Sequence, residues 1–122
     1  MVKRILLAED EEVLRMLIVD TLEDEYIVDE AQDGEEAFQL VQENQYDLLI
    51  LDYMMPIMTG LEVIEKVRAD KEREHLKIMM LSAKSQASEQ HEIMGAGADY
   101  FMAKPFSPLA LLDKVGEILN EN

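Results

Sequence analysis

The sequence predicts one α/β domain, a parallel sheet of five strands with helices on both faces. Three observations carry this. Continuous apolar runs recur along the 122 residues, among them Ile5-Leu6-Leu7-Ala8, Leu48-Leu49-Ile50-Leu51 and Ile78-Met79-Met80-Leu81, and such runs suit strands buried on both faces. Segments of helical period lie between them. Strand and helix alternate five times over with no long linker and no sequence repeat, which implies right-handed crossovers and strands pointing one way.

Lys3 to Ala8 reads as the first strand, ended abruptly by Glu9-Asp10-Glu11-Glu12. Val13, Leu14, Leu17, Ile18, Thr21 and Leu22 then mark one apolar face of a helix running to about Asp24. Tyr26 to Ala31 is a short second strand, and Asp33-Gly34 opens the second helix, with Ala37, Leu40 and Val41 inward. Asn44 to Asp47 leads into the third strand, Leu48 to Asp52, and the loop Tyr53-Met54-Met55-Pro56-Ile57-Met58-Thr59-Gly60 follows, punctuated by Pro and Gly. Gly60 begins the third helix, with Leu61, Ile64 and Val67 inward, fading into the charged run from Arg68 to Lys77. Lys77 to Ser82 is the fourth strand. A less apolar helix covers about Ser85 to Met94 and is stopped by Gly95 and Gly97. Asp99 to Met102 forms the last strand, closed by Lys104-Pro105, and Ser107 to Leu119 is the final helix, with Leu109, Leu112, Val115 and Leu119 inward. Residues 1–122 therefore read as a single domain with no room for an attached output domain.

Composition narrows the function. With 27 acidic against 11 basic residues and a net charge of −16, the chain repels nucleic acid and anionic membrane. It has no cysteine, so disulfides and thiolate metal sites are excluded. Met1-Val2-Lys3-Arg4 and the short apolar run after it are too little for a signal peptide, and no stretch reaches membrane-spanning length. A cytoplasmic location is the expectation.

In open α/β sheets the carboxyl ends of the strands converge on one rim, where ligands gather. The first strand places Glu9 and Asp10 there, the third Asp52, the fourth Ser82 and the fifth Lys104. Each has an ordinary structural explanation. The Glu9 to Glu12 run suits a helix N-terminus, Asp52 can cap the loop behind it, and a strand-end serine is common turn chemistry. Taken together, three carboxylates do not cluster without a counter-charge, because two like charges 4 Å apart cost about 4 kcal/mol even at an effective dielectric near 20. Lys104 supplies one unit, and a divalent ion would supply the rest. Hard oxygen ligands favour Mg²⁺, with Mn²⁺ as a substitute. Asp52 would then stand beside an electrophilic phosphorus, with Lys104 and Ser82 ready for the other phosphoryl oxygens.

The acidic pair Glu9-Asp10, Asp52 with Met55-Pro56 and Gly60, Ser82-Ala83, and Lys104-Pro105-Phe106 after Gly95-Ala96-Gly97-Ala98-Asp99 together resemble the response-regulator receiver domain of two-component signalling. The likeness covers essentially the whole chain. It implies a flavodoxin-like, doubly wound sheet in the order 2-1-3-4-5. It also implies that Asp52 accepts a phosphoryl group from a sensor histidine kinase, and that Asp10, Asp52 and the Met54 carbonyl bind Mg²⁺, with Glu9 helping through water. Ser82 and Phe101 would form the switch, altering the surface of the fourth helix, fifth strand and fifth helix for a target or phosphotransfer protein. Tyr100 is one place out of register for that role. Departures from the commoner pattern are Ser82 for Thr, Phe101 for Tyr, and Thr59 where Asp often stands; the second removes the tyrosine hydroxyl from partner recognition. A phosphorylation-dependent homodimer is left open, and a stand-alone regulator is favoured over an excised receiver.

Two other functions compete. A Mg²⁺-dependent phosphatase working through an aspartyl-phosphate needs a second carboxylate two residues after the nucleophile, and Met54 cannot move a proton. Nucleotide or flavin binding on such a fold needs glycines or hydroxyls after the first strand, where four carboxylates stand instead. Met16, Met79 and Met80 read as core, Met94 and Met102 as a soft partner surface in a minority reading, and His75 and His91 as surface residues. Lys84 and Met54 flank the pocket at positions that resemble those tuning acyl-phosphate lifetime.

Overall fold

The computed structural model describes residues 1–83 and 86–120. Its strands are β1 (Arg4–Ala8), β2 (Ile27–Ala31), β3 (Leu48–Asp52), β4 (Lys77–Ser82) and β5 (Tyr100–Ala103). They alternate with helices α1 (Glu12–Leu22), α2 (Gly34–Glu43), α3 (Gly60–Arg68), α4 (Ala87–Ala96) and α5 (Pro108–Leu119), and a 3₁₀ turn, Lys71–Arg73, follows α3. All pairings are parallel and the order is β2-β1-β3-β4-β5, the flavodoxin-like arrangement. Because β1 is flanked by β2 on one side and β3 on the other, the chain reverses its winding there, and a crevice opens above the carboxyl ends of β1 and β3.

Period-two alternation divides the sheet's side chains between two cores. Leu6, Leu49, Leu51, Ile78 and Met80 meet Ala37 and Val41 of α2, Val63, Ile64 and Val67 of α3, and Ile93 of α4. Ile5, Leu7, Leu48, Ile50, Met79 and Leu81 meet Ile18 and Leu22 of α1 and Leu111, Val115, Ile118 and Leu119 of α5. Helix starts follow local chemistry: Asp33 caps α2 by accepting from Glu36 N–H at 2.8 Å, and Ser107 caps α5 with Pro108 in its first turn.

Several inward faces differ from the sequence reading. On α1, Val13 and Leu17 are exposed, as is Met16, which is a surface residue and not core. On α3, Val63 joins Ile64 and Val67 while Leu61 is half-buried. On α5, Leu109 is exposed and Leu112 half-buried, and the buried stripe runs through Leu111, Val115, Ile118 and Leu119. A leucine-rich helix offers several stripes. The one that packs is fixed by the helix's rotation above the sheet, which the sequence alone leaves open. Gly95 lies inside α4, and the stop is Gly97 alone, at φ +123°, the left-handed conformation that a side chain resists. A Cβ there would also press on Arg68 Cγ at 2.7 Å. The expected start of this helix at Ser85 lies outside the described residues. Met79 and Met80 are fully buried, and His75 and His91 are exposed.

Candidate functional site

β1 ends at Ala8, and the next residue turns its side chain inward: Glu9 is 0% exposed, with Asp52 at 6% and Ser82 at 1%. Three polar side chains buried at the ends of three adjacent strands form the floor of the crevice. Lys104, just past β5, bridges two of them, its Nζ lying 3.0 Å from Glu9 Oε1 and 2.9 Å from Asp52 Oδ1. Its own N–H donates to the Ser82 carbonyl at 2.9 Å, which ties the end of β5 to the end of β4. The Lys104–Pro105 peptide is cis.

The other Glu9 oxygen accepts from Glu11 N–H at 3.1 Å. This bond steadies the turn into α1 but does not cap the helix, whose N-cap residue, Glu11, makes no side-chain capping bond. Asp10 is exposed, at the mouth of the crevice, and carboxylate oxygens of Glu9, Asp10 and Asp52 lie within 4.8 Å of one another. Burial pushes Glu9 up to about 7 from an ordinary 4.5; the Glu11 N–H and Lys104 oppose this and the nearby Asp52 charge adds to it. Burial alone would lower Lys104, but its hydrogen bonds and attraction to Asp52 and Glu9 outweigh that and hold it above its usual value.

The donor set fits a hard divalent cation. Every candidate ligand is oxygen, and one ammonium faces an excess of carboxylate. Burial and the excess of negative charge raise the proton affinity of Glu9, and a nearby dication would oppose that.

The loop after Asp52 is tightly built. Tyr53 N–H donates to Leu81 O at 2.9 Å, Gly60 N–H returns to Tyr53 O at 3.0 Å, and Met58 N–H reaches Pro56 O at 2.7 Å. The last bond closes a three-residue turn with Ile57 at φ +72°, a strained conformation for a β-branched residue. Gly60 is required by space, since a Cβ would sit 2.6 Å from the Asp52 carbonyl oxygen. Thr59 caps α3 through a reciprocal box with Glu62, so a hydroxyl does here what the commoner aspartate would do. The Met54 side chain is exposed.

Phe101 is half-buried and packs on the core shared by α2, α3 and α4, whereas Tyr100 faces the opposite core, with Lys114 Nζ 5.4 Å from its ring centre. Lys84 lies outside the described residues. One contributor has no counterpart in the sequence reading. Arg15 on α1 sends Nη1 to the Glu9 carbonyl at 2.8 Å and Nε to Glu30 Oε1 at 3.2 Å. Its signal in the sequence is faint: it is the sole basic residue between Arg4 and Lys66.

Comparison with known proteins converges on one family. Residues 5–116 match the response regulator receiver domain. The phosphate regulon transcriptional regulatory protein PhoB of Rhizobium meliloti is 40% identical over 120 residues, covering 98% of this chain and 53% of that protein. The transcriptional regulatory protein SrrA of Staphylococcus aureus is 38% identical, covering 98% and 48%. The chain thus spans about half the length of these relatives. Among solved structures, the chemotaxis response regulator CheY4 of Vibrio cholerae superposes with a TM-score of 0.93 at 32% identity, over 98% of this chain and all of that one.

Proposed function

Because the chain belongs to the response regulator receiver domains, the phosphorylation-based switches of two-component signalling, we propose that Asp52 is its phosphoacceptor, served by a sensor histidine kinase. The observation that carries this is the convergence of Glu9, Asp10 and Asp52 with Lys104 bridging two of them. An Asp52 oxygen attacks the phosphorus of a phosphohistidine. The new O–P bond forms as the P–N bond breaks, and the imidazole leaves with the electron pair and takes up a proton. Lys104, held charged by its two carboxylates, binds a phosphoryl oxygen, and the Ser82 hydroxyl at the end of β4 takes another.

Glu9, Asp10, Asp52 and the Met54 carbonyl would hold Mg²⁺, with Mn²⁺ as substitute. When bound, the ion offsets the carboxylate charge and polarises the phosphoryl group. Leu14, Leu17, Ala83, Pro105 and Phe106 line, with Lys104, an apolar cavity of about 430 Å³ beside the site. This is the seat we assign to the helix that presents the kinase's histidine. Movement of Ser82 toward the phosphoryl group frees space for Phe101 to turn further inward, altering the α4-β5-α5 surface offered to a target or phosphotransfer protein.

Receiver domains are signalling switches and not enzymes of the usual kind, and the phosphatase alternative gains nothing from an exposed methionine two residues after Asp52. Incubation with acetyl phosphate and Mg²⁺, followed by intact-mass analysis, should add one phosphoryl group per chain. Asp52→Asn should abolish it. Label that survives in Asp52→Asn, or steady turnover of phosphate monoesters, would sink the reading.

A further inference from the structure

We propose that Arg15 is a positioning residue for the acidic turn, fixing from α1 the direction in which Asp10 presents its carboxylate to a divalent cation. The inference rests on the phosphoacceptor reading above. Asp10 is exposed, and among the described residues no hydrogen bond reaches its carboxylate. Its aim is therefore set by the main chain of Glu9 to Glu11. Four bonds hold that segment: Glu9 N–H to Ala31 O at 3.1 Å, Glu11 N–H to Glu9 Oε2 at 3.1 Å, Arg15 Nη1 to Glu9 O at 2.8 Å, and the Arg15 backbone N–H to Glu11 O at 2.9 Å, the last being the first turn of α1. The first anchors the strand before the turn. The second depends on a carboxylate that Lys104 also engages. Only the third grips the peptide that joins Glu9 to Asp10.

Arg15 is built for holding. Its side chain is 11% exposed, and Nε is committed to Glu30 at the end of β2, so two edges of the planar fork are fixed at once. One guanidinium thereby joins α1, the end of β1 and the end of β2. Its charge alone works against the site, because a cation held at the acidic turn repels another cation. The two roles predict opposite signs, and that makes the idea decidable.

Mg²⁺ titration of the whole chain by calorimetry is the measurement. Arg15→Met should weaken Mg²⁺ binding about tenfold, the scale on which supporting contacts act on metal sites. Acetyl phosphate labelling should slow at low Mg²⁺ and recover at saturating Mg²⁺, a split that general loss of structure would not produce. Arg15→Lys keeps the charge but cannot span both partners, and it should weaken binding at least threefold. Glu30→Gln retains the bond to the Glu9 carbonyl and should stay within about twofold of the parent. Equal or tighter Mg²⁺ binding by Arg15→Met, or parental affinity in Arg15→Lys, overturns the proposal. If the parent chain itself neither binds Mg²⁺ nor takes the label, the phosphoacceptor reading fails and the proposal falls with it.

Discussion

Glu9 keeps a proton in the metal-free protein over a range where an exposed carboxylate has lost it, because burial lifts it to about 7 from 4.5. Between those values the native state binds more protons than the unfolded chain, so this group's contribution to stability falls as pH rises through the window. It is fully present below about 4.5 and gone above about 7. Metal-free melting followed by circular dichroism should therefore show a decline from pH 5 to pH 7.5 that flattens in Glu9→Gln, which is neutral throughout. An unchanged slope in that variant would place the ionisation elsewhere. Glu9, Asp10, Asp52, Ser82 and Lys104 were legible in the sequence because each stands at a strand end, and strand ends of a parallel sheet meet. Arg15 was not, since an arginine one turn into a helix is ordinary until folding brings the Glu9 carbonyl and Glu30 to it. Nor was Ile57, whose positive φ a sequence reader assigns to Gly or Asn.

Among the elements, α3 does most to keep the loop after Asp52 in place. Its first residue, Gly60, packs its bare Cα against the Asp52 carbonyl and bonds Tyr53 O, and its N-cap is the Thr59–Glu62 box. Removing the cap in Thr59→Ala should cost about 1 kcal/mol in urea unfolding, while Thr59→Asp, which keeps a capping oxygen, should cost little. Equal losses in both variants would mean that the Thr59 methyl, and not its hydroxyl, matters. Strands read cleanly from the sequence because a run such as Leu48 to Leu51 is apolar whichever face it shows. The leucine-rich helices did not. On α5 the stripe read through Leu109, Leu112, Val115 and Leu119 was right at Val115 and Leu119, but Leu111 and Ile118 take the inward places assigned to Leu109 and Leu112. Only the rotation of the helix on the sheet separates them, leaving Leu109 in solvent.

At the scale of the molecule the sheet acts as a partition. Among the described residues, the core under α2, α3 and α4 and the core under α1 and α5 have none in common. Ile64→Val on one side and Ile118→Val on the other, both in essentially fully buried positions, should each cost about 1 kcal/mol. Their double mutant should equal the sum to within about 0.5 kcal/mol in denaturant titration. A larger coupling energy would mean that strain crosses the strands. Independence of this kind concerns descent as much as stability. Substitutions beneath α2, α3 and α4 can accumulate in a lineage while the packing beneath α1 and α5 passes unchanged from one generation to the next.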